Sequence, residues 1–174
     1  MSNEAYEAIM NRVSIKRYKP DPVPEELIEK VVAAGVAAPS GVNFQGTLFL
    51  VLTGEKRDAL MKINAAVLNR GDIDPFYGAP VVIAVLDKKD AFCKEYDGSI
   101  AAAQMLLAAE TLGLGACWIH RAKPQFETEE GKALLKEAGI EEEVIGVANI
   151  ILGYPEGDRP PLKPRKANRV FRLR

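Results

Sequence analysis

Arg12, Ser14 and Lys16 stand two apart in the stretch NRVSIKRYKP, residues 11–20. In an extended segment a period of two puts these three on one face and Val13 and Ile15 on the other. Two cations and a hydroxyl on one face suit a phosphate. Arginine offers a planar fork of donors, lysine a point charge and serine a neutral donor. Each hydrogen bond to a charged group contributes roughly 1.5–3 kcal/mol. The same pattern also fits a solvated edge strand, whose lysines and arginines discourage pairing with other chains.

Three further stretches carry chemistry. In APSGVNFQ (38–45), Pro39, Ser40 and Gly41 make a tight turn past a helix end, and Asn43 and Gln45 bring amides that both donate and accept. Such a loop suits a flat heterocycle with alternating carbonyl and N–H groups, or it is a helix-to-strand connection whose amides satisfy its own backbone. In LGLGACWIHR (112–121), glycines permit close backbone approach, and Trp118 and His120 alternate with Ile119 if the segment is a strand. His120, the only histidine, reads as structural or as a pocket lining. In PLKPRKANRVFRLR (161–174), prolines hold Lys163 and Arg165 extended, ready to close on the same phosphate as Arg12. The rival is a basic arm for RNA or membrane. It lacks the interleaved aromatics of single-strand binding and any amphipathic helical pattern.

The elements that must position these residues follow from composition and periodicity. The chain has 174 residues, 48% of them hydrophobic, and a formal net charge of −1. One globular domain over 1–174 is expected, without a surface that advertises nucleic acid. No apolar stretch reads as a secretory signal or membrane span. Two distant cysteines, Cys93 and Cys117, exclude a disulfide framework, and with a single histidine no metal site is expected; the cytoplasm is the expected compartment.

NEAYEAIM reads as a helix capped at Ser2 or Asn3. PVPEELIEKVV opens a second, with Pro24 in its first turn, an apolar stripe at Leu27, Ile28, Val31 and Val32, and an end at Pro39. TLFLVLT (47–53) predicts a buried strand, EKRDALMKINAAVLNR a helix, and APVVIAVLD (79–87) a central strand. Residues 98–115 form a helix apolar or small nearly all round, expected to be buried on every side and so to mark a subunit interface. A short strand, ACWIH, a helix, TEEGKALLKEAG, and a strand, EVIGVANIILGY, complete the order. The irregular alternation predicts an α+β fold, and no G-x-G-x-x-G follows a strand.

Taken in order, RVSIKRY, PVPEELIEKVV, APSGVNFQ, APVVIAV, the alanine-rich helix into GLGACWIHR, and ILGYP before a Lys-x-Arg tail resemble the FMN-dependent nitroreductase family over nearly the whole chain. The resemblance implies a central, mostly antiparallel sheet surrounded by helices. It implies an intertwined homodimer with FMN at the subunit interface and NADH or NADPH as reductant. Residues 155–174 then form an arm on the partner, with VFRLR extending the partner's sheet. Arg12, Ser14 and Lys16 are implied to bind the FMN phosphate and the flavin's polar edge, with Lys163 and Arg165 completing the grip. Pro39, Ser40 and Asn43 are implied to reach the ring from the other subunit, Ile119 and His120 to pack backbone near its reactive nitrogen, and Asn69 to contact the flavin. No residue is assigned as catalytic.

The activity implied is electron transfer from NAD(P)H through flavin to nitroaromatics, quinones or similar flat acceptors by a ping-pong route. Alternatives are dehalogenation or flavin fragmentation within the same superfamily, or a flavin-binding protein without turnover. Two departures bear on substrate. Gly46 and Thr47 stand where many members carry Pro-Trp, and the chain lacks length for the helices that cover the pocket in larger members. Both imply a more open site.

Overall fold

The computed structural model describes residues 3–174. Strands β1 (Thr47–Thr53), β2 (Val81–Lys88), β3 (Gly115–Ile119) and β4 (Val144–Gly153) form one sheet in the order β1-β2-β4-β3. Every ladder is antiparallel. The helices are α1 (Glu4–Asn11), α2 (Glu25–Val36), α3 (Gly54–Val67), α4 (Lys94–Thr111), α5 (Ala122–Glu127) and α6 (Glu129–Glu137). The α+β class and the antiparallel centre agree with the sequence reading.

β2 shows why its run is apolar without alternation. Val82, Ala84 and Leu86 pack into one core with Ile15, Tyr18, Leu60 and Phe126, while Val81, Ile83 and Val85 pack into another with Ile28, Val31, Met105 and Ala109. Helices α2 and α4 therefore cover one face of the sheet, and α3, α5 and the segment 13–18 cover the other. A strand covered on both faces needs apolar residues at every position.

Several expectations change. TLFLVLT forms β1 as expected, but at the sheet's edge, so most of it is half-buried. Pro24 caps α2 in extended conformation instead of standing in its first turn, and its carbonyl accepts the Ile28 amide at 3.2 Å. The helix stops at Val36, three residues before Pro39. The α1 cap is Asn3, whose Oδ1 accepts the Tyr6 amide; Ser2 lies outside the described residues. For α4, expected to find its full burial at a subunit interface, its own chain leaves Tyr96 and Ile100 76% and 43% exposed, and Phe92 just before it 92%.

The segment RVSIKRY is extended but does not join a ladder. The Ile15 amide donates to Ala116 O of β3 at 3.1 Å, the Lys19 amide to Tyr154 O at 2.9 Å, and Tyr18 pairs with Pro155 as an isolated bridge. Ile15 and Tyr18 are buried, and Tyr18 donates its hydroxyl to Ile15 O at 2.7 Å. Burial, with Cys117 nearby, pushes the Tyr18 phenol far above its ordinary range, so it stays a donor. Gly115 makes the close approach possible, because a Cβ there would lie 2.9 Å from Ile15 Cγ2. Ser14 and Lys16 are thereby left exposed on the outer side. After Pro155 the chain runs without helix or strand to residue 174, and residues 170–174 are exposed.

Candidate functional site

Two cavities meet at Ser14 and Lys16. The first, about 410 Å³, is lined by Arg12, Val13, Ser14, Lys16 and the tail residues Pro160 to Lys163 and Arg165. Four cations line it and no carboxylate does. Arg12 is one of the lining residues, and its Nη1 is buried without a hydrogen-bond partner among the described residues. A buried donor left unpaired costs about 1–3 kcal/mol, so this end of the site calls for an acceptor, and the surrounding charge calls for an anion. The tail is held in place by Arg159, whose guanidinium reaches Asn11 O at 2.8 Å and Glu110 Oε1 at 2.6 Å.

The second cavity, about 590 Å³, continues from Ser14 and Lys16 to Leu68, Ile73, Asp74, Pro75, Tyr77 and the run Cys117 to Arg121. Its walls come from the end of α3, the loop before β2, and β3 with the turn that follows. β3 ends at Ile119, so His120 lies just beyond the strand, exposed, with its backbone at the cavity. Arg57 pins the loop 70–79 from below: it donates to Ala79 O at 2.9 Å and pairs with Asp74, which in turn accepts the Phe76 and Gly78 amides at 2.7 and 2.9 Å. The Lys16 ammonium lies 5.3 Å from the centroid of the Tyr77 ring.

A buried polar cluster supports the turn at His120. Asn64 Nδ2 donates to His120 O at 3.1 Å and to Gln125 Oε1 at 2.8 Å, and the Gln125 and Asn149 amides bond to each other twice. All three amides are fully buried. Tyr77 and Arg121, both lining residues, hold left-handed backbone, as does Asn69 one residue past the lining Leu68. Left-handed non-glycine residues are uncommon and cluster at functional sites.

The structure brings together Arg12, Ser14, Lys16, Ile119, His120, Lys163 and Arg165. It does not bring Pro39, Ser40 and Asn43 to them. Pro39 and Ser40 border a separate, smaller groove with Gly35, Gln45 and Phe49, while Asn43 accepts from the Gln45 side chain at 2.9 Å. Their loop is strained: Val42, Asn43 and Gln45 are all left-handed, and Val42 is 93% exposed. It is clamped at one end by buried Asp97, whose carboxylate accepts the Gly41 amide at 3.0 and 3.1 Å, and inside by Ser40 Oγ, which accepts the Gln45 amide. At its other end Gly46 lies flush against Asp87: a Cβ would stand 2.8 Å from Oδ1, which is buried and unpartnered. Burial pushes the Asp87 carboxyl above its ordinary range, partly offset by the bond from Thr47.

Asn69 is exposed and does not line the cavity. Sequence reasoning passed over Asp74, Tyr77 and Arg121. The signal for the first two was the turn chemistry of GDIDPFYGAP, and Arg121 closed the quoted glycine-rich motif.

The model of the nitroreductase family matches residues 9–154. A protein of Methanothermobacter thermautotrophicus provisionally named NADH dehydrogenase/NAD(P)H nitroreductase is 38% identical over 162 residues, covering 87% of this chain and 78% of its own. A provisionally assigned nitroreductase of Desulfovibrio desulfuricans, solved in complex with FMN, is 31% identical with a TM-score of 0.71, over 93% of this chain and 94% of that one. A Bacteroides fragilis nitroreductase with bound FMN has a TM-score of 0.89 over 99% of this chain and 100% of its own; at 24% identity it speaks for the fold.

Proposed function

The chain belongs to the nitroreductase family, and we propose that it is an NAD(P)H-dependent oxidoreductase that holds FMN across the two joined cavities. The observation that carries this is the junction itself: an all-cationic end with a buried, unpartnered Arg12 donor opens through Ser14 and Lys16 into a larger chamber lined by apolar residues together with Asp74, His120 and Arg121. A molecule with a phosphate at one end and a broad ring at the other fits that shape and charge. Bound there, FMN would supply the redox chemistry, hydride acceptance from NADH or NADPH and then electron donation to a second molecule admitted to the same pocket, a ping-pong sequence.

The chain's own residues bind, orient and exclude water. Arg12, Lys163 and Arg165 supply the phosphate grip, with Ser14 as a neutral donor. Lys16, at the junction, holds a positive charge where negative charge collects on reduction. Leu68, Ile73, Pro75 and Ile119 offer apolar walls, and the Asn64 amide fixes the His120 carbonyl beside them. Quinones and nitroaromatics, being flat, are the acceptors this chamber suits. His120 lines the pocket and is assigned no proton transfer.

The functional unit is a homodimer. Supporting this, Tyr6, Ile9 and Met10 of α1 and Tyr96 and Ile100 of α4 are exposed large apolar side chains. In that dimer Pro39, Ser40 and Asn43 reach the partner's ring pocket, Asn69 borders the flavin, and the arm 155–174 of the single domain 1–174 lies on the partner, its 170–174 segment adding a strand there. Among the described residues no helix is long and apolar enough to cross a membrane, and free Cys93 and Cys117 suit a reducing cytoplasm.

A visible absorption spectrum of the purified protein, with and without added FMN and again after anaerobic NADH, tests this. A flavin band that bleaches with NADH is expected. A colourless protein that ignores FMN would overturn the reading.

A further inference from the structure

Arg121 is a cation of the ring chamber that no carboxylate claims. It lines the chamber with Lys16 and Asp74, but Asp74 is committed to Arg57 and two backbone amides. None of the salt bridges among the described residues involves Arg121. Lys16 borders both cavities and belongs to their junction. Arg121 borders only the ring chamber.

Its position is built, not incidental. The backbone is left-handed, φ 74°, a conformation an arginine rarely adopts. Its Nε and Nη2 donate to Asn64 Oδ1 at 3.2 and 3.0 Å. Asn64 is fully buried, and its own Nδ2 is fixed by His120 O and Gln125 Oε1. The guanidinium is thus aimed by an amide that cannot turn, while Nη1 and one Nη2 hydrogen keep free donor capacity. A held guanidinium with free donors in a half-buried chamber recognises a carboxylate or sulfonate and gains from it on association as well as on binding.

We propose that Arg121 selects the electron acceptor: the chamber prefers flat acceptors that carry an anionic group over neutral ones of the same shape. This rests on the oxidoreductase reading above. It adds what that reading leaves open, the charge of the molecule that leaves with the electrons. The other source of an anion is the extra phosphate of NADPH, and the test separates the two.

The FMN-loaded protein is assayed with 4-nitrobenzoate and 4-nitrobenzamide at saturating NADH, and the ratio of their kcat/KM values is compared with that of Arg121→Gln and Arg121→Lys. The native ratio is expected to favour the benzoate and to fall about tenfold in Arg121→Gln. Arg121→Lys should restore part of it, because it keeps charge but loses the fork. The change should sit in KM for the benzoate. Raising salt should shrink the native ratio, and if Arg121→Gln does not retain flavin, Arg121→Lys decides the matter, since a ratio it leaves unchanged overturns the inference. A native ratio near one, or one that neither salt nor substitution moves, overturns the inference while leaving the enzyme reading intact. An effect of Arg121→Gln confined to the KM for NADPH assigns the guanidinium to the reductant and also overturns it. A protein that turns over neither acceptor overturns the inference, and the oxidoreductase reading falls with it only if NADH also fails to bleach the flavin.

Discussion

Two sets of buried polar groups, one where α3 and α5 meet β4 and the other at Arg12 and the end of β2, could hardly differ more. Asn64, Gln125 and Asn149 are fully buried, and each finds partners within the set. Arg12 Nη1 and Asp87 Oδ1 are buried and find none. The same fold leaves one nitrogen of Arg12 and one oxygen of Asp87 without a partner among the described residues, while the other Asp87 oxygen accepts from Thr47. The satisfied cluster is what the chain completes alone, and it holds the ring chamber's wall. The unsatisfied atoms lie at two places where the proposed function puts a further partner: an anion beside Arg12, and the strained loop 40–46 beside Asp87 in the proposed dimer. Unsatisfied groups in this molecule are pointers to function.

The comparison can be broken at its strong end first. Gln125→Leu leaves Asn149 without its partner and takes one acceptor from Asn64. At about 1–3 kcal/mol for each buried group left unpaired, the variant should lose roughly 3 kcal/mol in urea unfolding, with and without FMN. A loss below about 1 kcal/mol would mean water already shares that cluster. Arg12→Ala should do the opposite. The apo protein's melting should hardly move, since an unpartnered donor is removed, while FMN affinity falls about tenfold or more. Full flavin occupancy after dilution would sink the phosphate assignment.

The smallest effect belongs to Asp87. Its folded carboxyl binds a proton more tightly than the unfolded chain does, because burial disfavours the charge and the carboxylates of Asp97 and Glu95 add to it. Its contribution to stability is therefore fully present below the ordinary aspartate range and is lost as pH rises through the raised folded pKa. Asp87→Asn should be more stable than the native protein near neutral pH, by on the order of 1 kcal/mol, with the gap closing below about pH 4. Parallel thermal melts across that window check the sign. A variant less stable at every pH would show that the carboxylate is satisfied in solution.

The sheet was legible in the sequence because burial on both faces writes itself as an unbroken apolar run, as in residues 81–86. The cationic face was legible because period two survives even where no ladder forms: Ile15 is buried while Ser14 and Lys16 stay out. The amide cluster was not legible. Asn64 and Gln125 are 61 residues apart, and an amide in a helix carries no periodic mark of having a buried partner. Helix α5 was missed because it is 6 residues long, contains Pro124 and has no side-chain cap. For α4, composition reports that its faces are apolar, not which chain covers them.

Gly46 has a consequence for how this sequence can change. A Cβ at that position would meet Asp87 Oδ1 at 2.8 Å and Phe44 Cδ1 at 2.9 Å. A residue with a side chain at 46 therefore requires the Asp87 carboxylate and the Phe44 ring to swing aside, so what this position tolerates is set by how freely those two side chains turn.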